Sequence, residues 1–131
     1  MTESELELRR TIMNSFASTG APPETPDEPA LRALADGHVI VVHEGADGPR
    51  IHMAHPFAGH RDGARVDAGG GTWWGSCAWD GFGIVAALGL TTATVTANGI
   101  AVEVSDGEVD GEAVFHVAVP ARAWWVDIGF T

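Results

Sequence analysis

The sequence has one cysteine, Cys77, in 131 residues. No intramolecular disulfide can form, and an unpaired thiol suits a reducing cytoplasm. Cations are scarce as well: 7 Lys and Arg stand against 18 Asp and Glu, for a formal net charge of −11. Binding phosphates needs clustered cations, so this balance speaks against nucleic acid and against an anionic membrane surface. The longest apolar stretches fall well short of the roughly 18 residues that span a bilayer. The opening MTESELELRR puts acids first and has no apolar h-region, unlike a secretory signal. These absences predict a cytoplasmic protein whose partner is a small molecule. Internal repeats and low-complexity segments are also missing. Gly69-Gly70-Gly71 is followed by no Lys-Ser/Thr, which excludes a phosphate loop. The acidic stretch of Asp106, Glu108, Asp110 and Glu112 lacks EF-hand spacing and reads as a solvated turn. No nucleophile elbow with an ordered Ser-His-Asp set occurs.

What is present fits one compact domain able to bury about two-thirds of its unfolded surface. The 17 glycines suggest many turns or close backbone approaches. Residues 3–18 carry Leu6, Ile12, Met13 and Phe16 at helical spacing, with Thr2 or Ser4 as cap and Gly20 as stop. The proline-rich 21–29 is a linker, and Glu28 to Leu34 a second short helix. His38 to His43 and Arg50 to His55 predict a hairpin turning at residues 44–49. Two helices and a hairpin in this order have the look of a truncated winged-helix-like N-terminal part. Residues 56–71 read as turn-rich, ending in Gly69-Gly70-Gly71. Strands are expected at Thr91–Ala97, Ile100–Val104, Phe115–Val119 and Ala123–Phe130, the first two joined by the Asn98-Gly99 turn. The expected class is α+β, a small antiparallel sheet packed against a short buried helix. Residues 1–37 form an N-terminal helical segment and 38–131 the core.

The densest segment is Thr72-Trp73-Trp74-Gly75-Ser76-Cys77-Ala78-Trp79-Asp80-Gly81-Phe82-Gly83-Ile84-Val85-Ala86-Ala87-Leu88-Gly89. Its second half looks helical and apolar on most sides. Cys77 and Asp80 are three apart, so on a helix they share a face and can meet one ligand together. Cys77 is expected in the first helical turn, where the dipole lowers a thiol's pKa. A neighbouring carboxylate acts in the opposite direction. Trp73, Trp74, Trp79 and Phe82 would make the surroundings apolar and partly dry, which suits an organic ligand. Against this stands the ordinary alternative, a small buried thiol beside a hydrogen-bonded acid.

The same segment resembles the core motif of the alkylmercury (organomercurial) lyase family. The likeness is carried by Trp74, Cys77, Ala78, Asp80, Ile84, Leu88 and Gly89, by Ala54-His55-Pro56-Phe57 upstream, and by Thr91-Thr92-Ala93 and the strands to Pro120 downstream. It covers roughly residues 38–130. The resemblance implies that Cys77 takes a soft metal as thiolate and that Asp80 passes a proton to the leaving carbon. Thiolate is the ligand soft metals select, and a carboxyl in an apolar site holds its proton near neutral pH. The resemblance also implies a second cysteine on a later strand. Its expected place near Trp124-Trp125 carries no thiol, and these two tryptophans join the expected ligand-lining set. No resident cofactor is implied.

Three functional alternatives follow: a lyase acting on carbon–mercury or related bonds, a module that binds a soft metal or apolar ligand without turnover, and a divergent enzyme on the same scaffold. The apolar sheet face is compatible with a homodimer. Six histidines invite a metal reading, chiefly His52, His55 and His60. However, i and i+3 on a strand point to opposite faces, so surface or hydrogen-bonded roles weigh more. His38, His43 and His116 sit in strand-like runs.

Overall fold

The computed structural model describes residues 1–24, 28–112, 114 and 120–126, the last stretch in part by backbone alone. It opens with α1, Glu3–Thr19, whose start is a full capping box. Thr2 receives the Glu5 amide, and the Glu5 carboxylate receives the Thr2 amide in return. Gly20 ends the helix in the left-handed conformation at φ 74°. A Cβ there would also run into the Thr72 carbonyl oxygen, so the helix end lies directly on a strand. The second helix, α2 (Pro29–Asp36), starts with proline at its first position, where a missing amide hydrogen costs nothing.

Two antiparallel sheets follow. The first has the order β1 (Val41–Gly45), β2 (Gly48–Ala54), β3 (Phe57–Ala58). The second has the order β5-β4-β6-β7-β8, from β4 (Ala64–Ala68), β5 (Gly71–Gly75), β6 (Thr92–Ala97), β7 (Ile100–Ser105) and β8 (Glu108–Asp110). Between β5 and β6 lies α3, Ala78–Ala87, packed on β4, β5 and β6. Among the described residues, helices and antiparallel strands take near-equal shares, so the class is α+β.

The tight turns follow from residues that accept positive φ. Asn98-Gly99 (51° and 76°) and Asp106-Gly107 (50° and 78°) both link strands as two-residue hairpin turns. Positive φ at both central positions matches the twist of the paired strands. The acidic turn is therefore confined to 106–107, and Glu108–Asp110 pair with Glu103–Ser105 instead of staying in a loop.

Residues 56–71 are not all turn: β3 and β4 fall inside them. In β4 the side chains alternate, with Ala64 and Val66 buried while Arg65 points outward. The turn-forming glycines around β4 hid this period-two signal. At the other end, Ala121–Val126 is a 3₁₀ helix, so the expected strand does not begin at Ala123. The expected strand at 115–119 and the rest of the one at 123–130 lie outside the described residues.

One hydrophobic cluster runs through the described chain. It joins Ile12, Phe16, Leu31 and Leu34 of the N-terminal helices to Ile51, Phe57, Val66, Ile84 and Val95. Phe16 stacks on Phe57 with ring centroids 5.4 Å apart. Gly81 lets α3 lie close to the sheet, since a Cβ there would sit 2.7 Å from Val95 Cγ1 and 3.2 Å from the Ala64 methyl. That approach fixes the start of α3, where Cys77 and Asp80 are found. Among the described residues no helix is long and apolar enough to cross a membrane.

Candidate active site around Cys77 and Asp80

Strand β5 delivers the chain to Gly75, Ser76 makes the bend, and Cys77 becomes the N-cap of α3. Its backbone is extended (φ −146°, ψ 175°), one residue outside the first turn expected for it. Its carbonyl still accepts the first helical hydrogen bond, from the Gly81 amide at 3.1 Å. Asp80 is the third residue of the helix, the position from which a side chain folds back toward the cap. Its Oδ2 accepts the Ser76 amide at 3.2 Å. Gly75 makes room for this, because a Cβ there would lie 2.7 Å from Asp80 Cβ.

Asp80 is the one buried charged residue among those described, with 3% of its surface exposed. Burial pushes its pKa above the usual carboxylate value, against the opposing pull of His55, the Ser76 amide and Cys77. His55 Nε2 stands 3.1 Å from Oδ1. That distance suits an ion pair, and buried Oδ1 has no hydrogen-bond partner in the structure. Cys77 is half-buried. Burial raises its thiol pKa, and the Asp80 carboxylate raises it further, while backbone hydrogen bonds at Asp80 and Trp79 work the other way. The proton therefore stays on sulfur to higher pH than in a free thiol. Metal binding displaces such a proton, because the metal competes for the thiolate. The pair thus presents a protonated thiol, from which a soft metal can draw a thiolate, next to an acid biased toward its protonated form.

Among the described residues, the aromatic side chains do not close into one wall around this pair. On β5 consecutive side chains face opposite ways, so Trp73 and Trp74 diverge. Trp73 is partly buried against the core and donates its indole N–H to the Ala17 carbonyl at 2.9 Å, tying α1 to the sheet. Trp74 is half-buried. Trp79 is 62% exposed, and Phe82 packs against the core cluster. The side chains of Trp124 and Trp125 lie outside the described residues.

The histidines regroup. His52 and His60 come together, but the third member is His43 in place of His55. The rings stack as His43–His52–His60, with centroids 3.9 and 4.4 Å apart. Stacked faces do not converge nitrogens on a point, and among the described residues no group of three His, Cys, Asp or Glu is arranged to hold a metal ion. The His52/His55/His60 set is thus not assembled. His60 Nε2 instead meets Ser76 Oγ at 3.2 Å, and burial together with His43 and His60 lowers the His52 pKa. His38 sits in the turn after α2 at φ 57°, and His116 lies outside the described residues. Sequence reasoning missed His55 as the neighbour of Asp80. The only signal for it was its place in the Ala54-His55-Pro56-Phe57 segment. No family model, curated protein or solved structure matches the chain.

Proposed function

We propose that the protein is alkylmercury lyase-like: Cys77 captures a soft metal or electrophilic organic ligand, and Asp80 supplies a proton for cleavage of the carbon–metal bond. The observation that carries this reading is a carboxyl only 3% exposed, its pKa raised by burial, beside a half-buried thiol. With an organomercurial R–Hg–X, the Cys77 sulfur forms an S–Hg bond, X⁻ leaves, and the thiol proton passes to solvent. The Asp80 proton then moves to the carbon of R as the C–Hg bond breaks, releasing R–H. The metal remains on sulfur with the new carboxylate beside it, and added thiol removes it. A general acid positioned in this way contributes roughly 10²–10⁴-fold.

Phenylmercuric acetate with excess dithiothreitol tests the reading through benzene release. Release by the wild type, lost in both Cys77→Ser and Asp80→Asn, is the expected result. Equal release by wild type and Cys77→Ser would dismiss it. A second reading, capture without turnover, is favoured by Cys77 being the only cysteine of the sequence, since a further thiolate on the metal must then come from solution or another chain. It predicts stoichiometric mercury binding with no benzene.

A further inference from the structure

We propose that His55 is the solvent-side proton carrier for Asp80, its Nε2 passing a proton taken from bulk water to the buried Oδ1. The inference rests on the Cys77–Asp80 reading for its place in turnover. An acid that has given its proton to carbon must be reloaded, and Asp80, 3% exposed, meets almost no water itself. His55 spans the gap, with 65% of its side chain in solvent and Nε2 3.1 Å from Oδ1. That same oxygen is buried without a hydrogen bond, so it is open to receive the proton. The groups facing the carboxyl are His55, the Cys77 thiol and the Ser76 amide. The amide gives Oδ2 a fixed hydrogen bond and cannot hand its proton on. His60 reaches only the Ser76 hydroxyl. The turn bearing His55 is seated on α3, because Gly83 leaves space that Pro56 occupies, with a Cβ there only 3.2 Å from Pro56 Cβ.

The step balances. The Asp80 carboxylate left by C–Hg protonolysis takes the Nε2 proton of the imidazolium. The neutral imidazole then recovers a proton from hydronium or a buffer acid. His55 acts on the reaction only through Asp80, so its loss spares the first proton and slows every later one.

The test compares wild type with His55→Gln, using phenylmercuric acetate and excess dithiothreitol. The first equivalent of benzene should appear at the wild-type rate, while steady turnover falls roughly 10²-fold and recovers with added imidazole. Unchanged steady turnover overturns the proposal. So does joint loss of first and later turnovers without imidazole rescue, which marks a merely structural role. A second readout needs no activity: rapid pH-jump infrared spectroscopy of the Asp80 carboxylic acid band, identified by its absence in Asp80→Asn. Protonation slowed in His55→Gln and restored by imidazole supports His55 as carrier, and equal rates overturn it. If the wild type releases no benzene, the lyase reading fails, and the infrared rates alone decide whether His55 serves Asp80.

Discussion

Gly75→Ala isolates the contact that seats the acid. Gly75 is not in the positive-φ region, so in the folded state the effect of a methyl there is one of space alone. The new carbon would lie 2.7 Å from Asp80 Cβ and 3.1 Å from both the Asp80 carbonyl carbon and the Gly81 nitrogen. Comfortable carbon–carbon separation is about 3.5–4.0 Å, leaving a shortfall near 1 Å. Two of the three neighbours are backbone of the first turn of α3, so no rotamer change relieves the overlap. The helix cannot back away freely either, because Gly81 already holds it against Val95 and Ala64. Overpacking of this kind costs about 1–3 kcal/mol, offset by about 0.4–1 kcal/mol from the reduced freedom of the unfolded chain. The net loss should be about 1–2 kcal/mol, or roughly 4–8 °C in Tm for a domain of this size. Thermal unfolding followed by circular dichroism measures it. Gly83→Ala is the milder comparison within α3: its Cβ would meet only Pro56, at 3.2 Å, so a shift of that turn by a few tenths of an ångström is set against a helix-propensity gain of about 1 kcal/mol. Its Tm should fall clearly less than that of Gly75→Ala. If Gly75→Ala melts with wild type, or Gly83→Ala falls as far, the packing account of the site is wrong.

Three further outcomes are expected. Burial raises the folded-state pKa of Asp80, so its contribution to stability is complete below the ordinary carboxylate range and wanes as pH rises through the raised value; denaturant unfolding across that range should show Asp80→Asn with a flatter profile than wild type. The same residue slows alkylation of Cys77, because its negative charge raises the thiol pKa. Iodoacetamide should therefore react slowly with the wild type near pH 8 and faster with Asp80→Asn, and the reverse order would contradict the assigned electrostatics. For His52 the sign is opposite: its folded pKa is lowered from 6.5, so its stability contribution holds above that range and is lost as pH falls through the lowered value. Replacing His52 with Phe keeps a stacking ring and should reduce the fall in Tm on acidification, whereas an unchanged fall would place the acid sensitivity elsewhere.

Much of the architecture could be read from local pattern. The cap at Thr2, the stop at Gly20, the Asn98-Gly99 turn and the apolar run of α3 each depend on neighbours in sequence, and each appears near its expected place. Strand β4 was the main omission. Its alternating Ala64, Arg65, Val66 and Asp67 end only two positions before a run of three glycines, and turn chemistry outweighed a short period-two signal. The site divides along the same line. Spacing alone put Cys77 and Asp80 within reach of each other, because three residues along one helix start is a local distance. The burial of Asp80 depends on how closely α3 approaches β4 and β6. The approach of His55, 25 positions earlier in the chain, depends on where the turn after β2 lands. The separation of Trp73 from Trp74 and the stacking of His43 with His52 and His60 follow from strand pairing. Residue chemistry and local periodicity are written along the chain, whereas desolvation and long-range proximity exist only once the sheets and α3 have closed on one another.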